Sequence, residues 1–308
     1  MSAIITAWLV SIPTFAAPFL LATIGLIVSE RAGVLNLGAE GIMSTGAVVA
    51  VIVMLQGGGP LSAVLIALVA GSALAVLFGL LVVVLRIDQV LAGLVTVALG
   101  VGGSGFIGNN FANKPIRGLD QLPAAWFDWL PPVLGRLLDQ DLLTYLSAVL
   151  AVAVWWVISR TDLGLRLRAV GEDAPAADAA GVSVLWVRLG AVAVGGLFCA
   201  LAGAHLALVS SQLWVEGMIN GRGWIAVALV TFSRWHPLRA IGAALLFGAV
   251  EALIPQLVSS GAAVPVYLIQ MTPYLATMAA LIGSGYFRSG EHDRPHDLAR
   301  PFIREERR

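Results

Sequence analysis

Polar residues interrupt this apolar sequence at three places, and their side chains are the ones best suited to chemistry. The stretches cover residues 29–41, 100–111 and 214–230, and each is rich in glycine. In the first stretch the polar side chains include Glu30, Arg31, Asn36 and Glu40. Ionisable groups are costly inside a membrane and usually line a pathway or pair with one another. The stretches therefore predict a polar pathway, or else hydrogen bonds between neighbouring helices.

Four residues in two of these stretches are candidates for lining such a pathway. They are Asn36, Glu40, Asn220 and Trp224, which lie at glycine-flanked breaks in apolar segments. Amide and carboxylate groups can exchange hydrogen bonds with hydroxyl groups, and an indole offers a face to a flat ring. The structural alternative is that Asn36 and Glu40 only bridge neighbouring helices, at about 1 kcal/mol or less per hydrogen bond.

Three ionisable residues in apolar surroundings could instead carry a proton, as in a proton-coupled secondary transporter. They are Glu40, His205 and Glu251. Such carriers are often built from inverted repeats, and the sequence shows no clear internal repeat. Each residue also has a structural interpretation, because a carboxyl group can hydrogen-bond a neighbouring helix and a histidine can be satisfied in a core.

Catalytic chemistry finds no support in the sequence. Residues 100–105 do not form a phosphate-binding loop, since the single lysine, Lys114, does not follow them as the nucleotide-binding pattern requires. No histidine and cysteine cluster has metal-site spacing, and no pairing of a nucleophile with a base stands out. The single cysteine, Cys199, lies in an apolar run and is interpreted as a packing residue. We expect neither an enzyme nor a metal or cofactor site in this chain.

Composition predicts a membrane protein built from helices. The chain has 308 residues, 59% hydrophobic and 12% charged, where a soluble domain carries about a quarter charged residues. Its net charge of zero argues against a nucleic-acid partner. The fold class expected is an all-α polytopic bundle in contact with lipid, with about eight or nine transmembrane segments. The candidate segments are 4–28, 36–55, 61–85, 89–108, 142–159, 184–209, 223–233, 240–258 and 265–287.

Basic residues predict how this bundle is oriented. The segment 223–233 is too short for a straight crossing, so we expect it to be broken, tilted or re-entrant. With the N-terminus outside, most of the 18 lysines and arginines fall on the cytoplasmic side, as the positive-inside rule requires. The outer loop 109–141, with Trp126 and Trp129, should then lie along the outer membrane surface. Residues 1–288 are expected to form the transmembrane domain, and residues 289–308 a polar cytoplasmic tail.

One polar insert between two apolar segments predicts a docking surface on the cytoplasmic side. It occupies residues 160–183 and contains a short alanine-rich stretch. The carboxylate of Asp173 can cap a helix there, Pro175 falls in the first turn where its missing N–H costs nothing, and Gly181 favours a stop. The sequence therefore predicts a small, ordered helix.

Several motifs together carry a resemblance to a known family. They cover residues 30–43 (ERAGVLNLGAEGIM), 160–181, 221–240 and 247–253. In this order they resemble the permease subunit of an ABC importer, from the branched-chain amino-acid/ribose permease family. The Val-Leu-Asn-Leu-Gly form of the first motif is similar to the simple-sugar and nucleoside branch, and to permeases for nucleosides in particular.

The resemblance implies an ATP-driven import function and a set of partners. The insert would contain the coupling helix that sits in a groove of a cytoplasmic ABC ATPase, with contacts from Glu172, Asp173, Pro175, Ala176, Ala177 and Asp178. ATP and Mg would bind to that separate ATPase. A second, homologous permease subunit and an extracytoplasmic substrate-binding lipoprotein would complete the complex in a bacterial plasma membrane. The implied cargo is a nucleoside or a related sugar-like solute, with branched-chain amino acids or simple sugars as alternatives.

Overall fold

Eleven α-helices form the described part of the chain. The computed structural model describes residues 2–120, 122, 132–259, 271, 275, 278, 282 and 294–302. The helices are α1 (Ser2–Arg31), α2 (Ala39–Leu55), α3 (Pro60–Gly79), α4 (Gln89–Gly108), α5 (Pro132–Leu138), α6 (Leu142–Arg160), α7 (Asp162–Glu172), α8 (Ala174–Ala179), α9 (Val184–His205), α10 (Arg222–Phe232) and α11 (Pro237–Ser259). Short π-helical extensions, Leu80–Val84 and Leu206–Ser211, lengthen α3 and α9.

Six of these helices are long and apolar enough to cross a membrane. The six segments are Ile5–Arg31, Pro60–Val84, Gln89–Phe111, Leu142–Arg160, Val184–Ser211 and Pro237–Ser259. Helices α2 and α10 are apolar but shorter. The all-helical bundle is thus confirmed, whereas eight or nine full segments are not. The predicted segment 265–287, apart from residues 271, 275, 278 and 282, lies outside the described residues, as do Trp126 and Trp129.

Helix α10 confirms the expectation of a segment too short to cross alone. Its 11 residues span about 16 Å at 1.5 Å per residue, roughly half of the hydrocarbon core. Helix α2 begins at Ala39, later than the predicted residue 36, because residues 34–36 are irregular and residues 37–38 form a turn before it. Both helices therefore begin inside the bundle, where their first N–H groups need partners from the protein.

Helices α1 and α9 form the centre of the bundle and meet at small residues. A side chain at Gly195 of α9 would lie 2.8 Å from the carbonyl oxygen of Gly25 in α1. At Gly203 it would lie closer still to the carbonyl oxygen of Met43 in α2. Small residues at such crossings are typical of membrane helices, since close backbone contact there replaces the hydrophobic driving force found in water.

Large apolar side chains cover the outer faces of α3 and α4. Val69 on α3 is 68% exposed and Phe106 on α4 is 86% exposed. Soluble monomers rarely expose such continuous apolar surface. Together with the six apolar helices, these faces are those of a multi-pass membrane protein.

Candidate pathway and coupling sites

Glu40 joins two of the polar stretches that the sequence analysis singled out. This residue lies in the first turn of α2, and its carboxylate accepts hydrogen bonds from the backbone N–H groups of Gly221 and Gly223, both at 2.7 Å. These groups belong to the start of α10, where N–H groups lack partners within the helix and favour a negative charge. Glu40 is only 8% exposed. The carboxylate therefore holds the N-terminus of α10 inside the bundle.

The start of α10 has a backbone shape that suits this contact. Gly221 has φ of 81°, in the left-handed region that favours glycine. A side chain at Gly223 would come within 2.5 Å of the backbone nitrogen of Glu40, so α2 and α10 touch through backbone atoms. The glycines of the third polar stretch thus permit both the turn and the close approach.

Arg222 and Glu251 form an ion pair next to this contact. The guanidinium donates to both carboxylate oxygens, with Nη2–Oε1 at 2.6 Å and Nε–Oε2 at 3.2 Å. Its Nη1 donates to the carbonyl oxygens of Met218 and Ile219. A two-pronged pair of this kind is directional and charge-assisted. Glu251 on α11 is therefore a structural partner of α10, as one of its two interpretations proposed, and the sequence did not reveal Arg222 as that partner.

Asn36 lies in the turn that precedes α2 and is completely buried. Its Oδ1 accepts a hydrogen bond from the backbone N–H of Gly38 at 2.9 Å. Its Nδ2 has no hydrogen-bond partner within the part of the chain that the structure describes. Asn36 thus closes its own turn, while its side-chain NH2 group makes no hydrogen bond to the described residues.

Asn220 and Trp224 flank the N-terminus of α10 and are the more exposed pathway candidates. Asn220 is exposed and has φ of 49°, and Trp224 is 38% exposed. The structure therefore brings Glu40, Asn220 and Trp224 to one helix start. Asn36 lies four residues before Glu40, on the other side of the α2 turn.

A second polar cluster connects α6 and α9 and includes two residues that the sequence analysis missed. The Oγ1 of Thr144 is 2.5 Å from Oδ2 of Asp141 and 3.0 Å from Nε2 of His205. All three side chains are buried. His205 is thus held in the core by Thr144, as expected for a core histidine. The signal that could have revealed its neighbours is the spacing of Asp141 and Thr144, which is that of a helix cap.

Trp235 ties the end of α1 to the turn between α10 and α11. Its indole N–H donates to Oε2 of Glu30 at 2.6 Å, and its carbonyl oxygen accepts from Nε and Nη2 of Arg31. Arg234 and Trp235 both have positive φ, at 53° and 52°. Trp235 was not among the predicted residues, although it lies in the 221–240 motif.

The polar insert at residues 160–183 forms the small helix that the sequence predicted. Asp173 accepts from the backbone N–H of Ala176 at 2.8 Å and caps α8, whose first turn contains Pro175. The helix stops before Gly181, which has φ of 85°. Ala176 is exposed, whereas Ala177 is only 5% exposed and packs with Val170, Ala174 and Val184.

The six predicted coupling residues consequently do not share one face. Glu172, Asp173, Pro175 and Ala176 are exposed, and Asp178 is half-buried. Ala177 faces the interior of the insert. The surface that α8 can offer to another protein is therefore made by the exposed residues.

Comparisons with known proteins show which family this chain resembles in sequence. The family model described as "Branched-chain amino acid transport system / permease component" matches residues 8–282. A Haloferax volcanii protein, provisionally named glucose ABC transporter permease protein TsgC13, is 41% identical over 77% of this chain and 74% of its own length. The guanosine ABC transporter permease protein NupQ of Bacillus subtilis is 33% identical over 100% of this chain and 98% of its own.

A further relative and one solved structure are also similar to this chain. The nucleoside ABC transporter permease protein NupC of Lactococcus lactis subsp. cremoris is 31% identical over 87% of this chain and 88% of its own length. Among solved structures, an inward-facing ABC transporter, provisionally classed as metal-chelate type, has a similar fold. Its TM-score is 0.51 at 17% identity, covering 92% of this chain and 86% of that one. The chain therefore belongs to the family of permease components of branched-chain amino acid transport systems.

Proposed function

We propose that this chain is the permease subunit of an ATP-driven ABC importer for nucleosides or related small sugar-like solutes. The observation that carries the proposal is the similarity to the guanosine permease NupQ, which extends over the whole chain. The motif at residues 30–43, which suggested the nucleoside branch, is joined in the structure to the motif at residues 221–240 by the Glu40 hydrogen bonds. The family membership supports this class of transporter over a proton-coupled carrier.

In this proposal the solute passes the N-terminus of α10. Asn220 and Trp224 contact it directly because they are exposed there, and Asn36 offers its unused amide donor. Glu40 belongs to the same pathway but acts mainly by fixing α10. A permease need not bind tightly, since an extracytoplasmic lipoprotein supplies recognition and tight binding would slow release.

Energy comes from a separate ABC ATPase that binds ATP and Mg on the cytoplasmic side. Its groove receives α8, through Glu172, Asp173, Pro175, Ala176 and Asp178. A second homologous permease completes the membrane part in the bacterial plasma membrane. The N-terminus lies outside and the C-terminus inside. A cysteine replacing Asp120 should then react with an impermeant thiol reagent in intact cells and one replacing Ala176 should not; the reverse pattern overturns this orientation.

A simple sugar is the second candidate for the cargo, favoured by the 41% identity to the glucose-related permease. Nucleosides and sugars share ring hydroxyl groups, which amide and carboxylate side chains bind equally well. They differ in the flat base, which only an aromatic face such as Trp224 would favour.

Uptake by the reconstituted complex in proteoliposomes decides between these candidates. We expect ATP-dependent uptake of labelled guanosine, suppressed by unlabelled nucleosides and unaffected by glucose or leucine. Uptake of labelled glucose without uptake of guanosine would select the sugar permease, and uptake of labelled leucine alone would select the amino-acid permease. Uptake should survive a protonophore while ATP is maintained, and collapse at constant ATP would reject the ABC importer.

A further inference from the structure

The end of the chain folds back onto the cytoplasmic insert. Residues 294–302, here called the tail segment, include Asp297 and Leu298, which are only 8% and 6% exposed. Phe302 packs against the small apolar group that surrounds α8. This burial is unexpected for a sequence as polar as residues 289–308.

Asp297 bonds to both sides of the junction between α7 and α8. Its backbone N–H donates to the carbonyl oxygen of Gly171, near the end of α7, at 2.9 Å. Its Oδ2 accepts from the backbone N–H of Ala174, the first residue of α8, at 2.9 Å. Its other oxygen, Oδ1, is 3.5 Å from Nη1 of Arg300. One residue of the tail therefore fixes the angle at which α8 leaves α7.

The same segment also contacts two membrane helices at their ends. The backbone N–H of Ala299 donates to the carbonyl oxygen of Gly33, just after α1, at 3.2 Å. The carbonyl oxygen of Arg300 accepts from Nη1 of Arg188, in the first turns of α9, at 3.0 Å. The tail segment thus links α8 to the two central helices of the bundle.

We infer that the tail segment fixes the position of α8 relative to α1 and α9, and we call it the clasp. Asp297 is the positioning residue of the clasp. Helix α8 has six residues, too few to hold a shape or position without neighbours. Coupling between distant sites needs a continuous, packed connection. The clasp supplies one from α8 to the membrane helices. This inference rests on the proposed function, in which α8 meets the ATPase.

The test measures solute transported per ATP hydrolysed by the reconstituted complex. Asp297→Ala removes the acceptor for the Ala174 N–H, and we expect the ratio to fall about tenfold, as for loss of one charge-assisted hydrogen bond. Hydrogen exchange at the backbone amides of Ala174, Ala176 and Ala177 should become faster. Asp297→Asn keeps an acceptor but loses the charge, so a fall of about threefold is expected. A chain ending at residue 302 is the control, and should match the wild type.

The ratio separates positioning from folding, because loss of folded complex lowers transport and ATP hydrolysis together. A wild-type ratio and wild-type exchange in Asp297→Ala would overturn the clasp. If that variant does not assemble, Asp297→Asn decides: a lowered ratio supports the clasp and a wild-type ratio rejects it. Ala176→Trp separates failure of the proposed coupling role of α8 from failure of the clasp. Normal transport by Ala176→Trp rejects the coupling role of α8 itself, whereas its failure beside a normal Asp297→Ala rejects only the clasp.

Discussion

The two short helices α10 and α8 differ in which residues face the rest of the protein and which face outward. At α10 the polar groups turn inward: Glu40 accepts from two backbone N–H groups, and Arg222 pairs with Glu251. At α8 the cap is made locally by Asp173, and the outward residues are Pro175 and Ala176. Inside a membrane a polar group must find a partner in the protein. In the insert, a small exposed side chain leaves room for a partner outside it.

This difference separates the residues that hold each helix in place from the exposed residues that are proposed to contact a solute or a protein. Around α10, charged residues fix the start of the helix, and Asn220 and Trp224 are exposed beside it. In the proposed function these two residues contact the solute. Around α8, Asp173 caps the start of the helix, and Pro175 and Ala176 are exposed. In the proposed function these two residues contact the ATPase. Substitutions of the charged residues around α10 should therefore affect stability first, whereas substitutions of the exposed residues of α8 should affect transport first.

The largest effect is expected from Ala176→Trp. A bulky side chain in a packed interface costs roughly 3 kcal/mol, so transport and transport-stimulated ATP hydrolysis should fall about a hundredfold. Membrane insertion and melting temperature should not change, because Ala176 is exposed. Uptake of labelled guanosine at matched protein level is the measurement.

Two control variants sharpen this result. Leu165→Trp puts the same bulk on the exposed face of α7 and should leave transport near normal. Ala177→Trp should instead lower the protein level, since Ala177 packs inside the insert. Normal uptake by Ala176→Trp would contradict the docking role of α8.

Glu40→Ala should have the second largest effect, and it should act through stability. It leaves the N–H groups of Gly221 and Gly223 without their carboxylate, at about 2–4 kcal/mol together. We expect a melting temperature lower by several degrees and transport about tenfold lower. Glu216→Ala, which removes an exposed carboxylate from the same stretch, should leave the melting temperature unchanged. An unchanged melting temperature in Glu40→Ala would show that the bridge does not stabilise α10.

The sequence predicted the insert more completely than the membrane site, and the reason is sequence distance. The cap by Asp173, the proline in the first turn and the stop at Gly181 act within a few residues of one another. Glu40 and Gly221 are 181 residues apart, so their bond depends on how α2 and α10 pack. Glycines and charged residues marked both stretches as unusual in the sequence. Only the structure showed that Glu40 of the first stretch accepts hydrogen bonds from Gly221 and Gly223 of the third.

The same reasoning explains the residues that the sequence analysis missed. Asp297 bonds to Ala174 across 123 residues, and Trp235 bonds to Glu30 across 205. Neither stands out locally: Asp297 lies in a polar tail, and Trp235 resembles other interfacial tryptophans. Ala177 was expected to contact the ATPase together with Ala176, and only the packing of the insert distinguishes the buried Ala177 from the exposed Ala176.

Trp224→Ala tests the exposed part of the membrane region. Trp224 is 38% exposed and makes no side-chain hydrogen bond in the described part of the chain, so the melting temperature should stay within a degree or so of the wild type. Loss of an aromatic face for the base should lower guanosine transport roughly fivefold. Trp224→Phe keeps a flat face and should recover most of the rate. Equal loss in both variants would show that the base does not meet this ring.

Substitution of Asn36 is expected to have the smallest effect on transport. It also separates a structural role of this residue from its proposed contact with the solute. Its Oδ1 closes a turn, which is a structural role, while its unused Nδ2 is the group proposed to meet the solute. Asn36→Ala removes both atoms, whereas the hydroxyl of Asn36→Ser can still close a turn of this kind. We expect both variants to lower the maximal transport rate about threefold, in line with one neutral hydrogen bond. Only Asn36→Ala should lower the melting temperature, by a few degrees. If Asn36→Ser restores transport together with stability, Asn36 serves the fold alone, and the pathway is confined to the exposed residues at the start of α10.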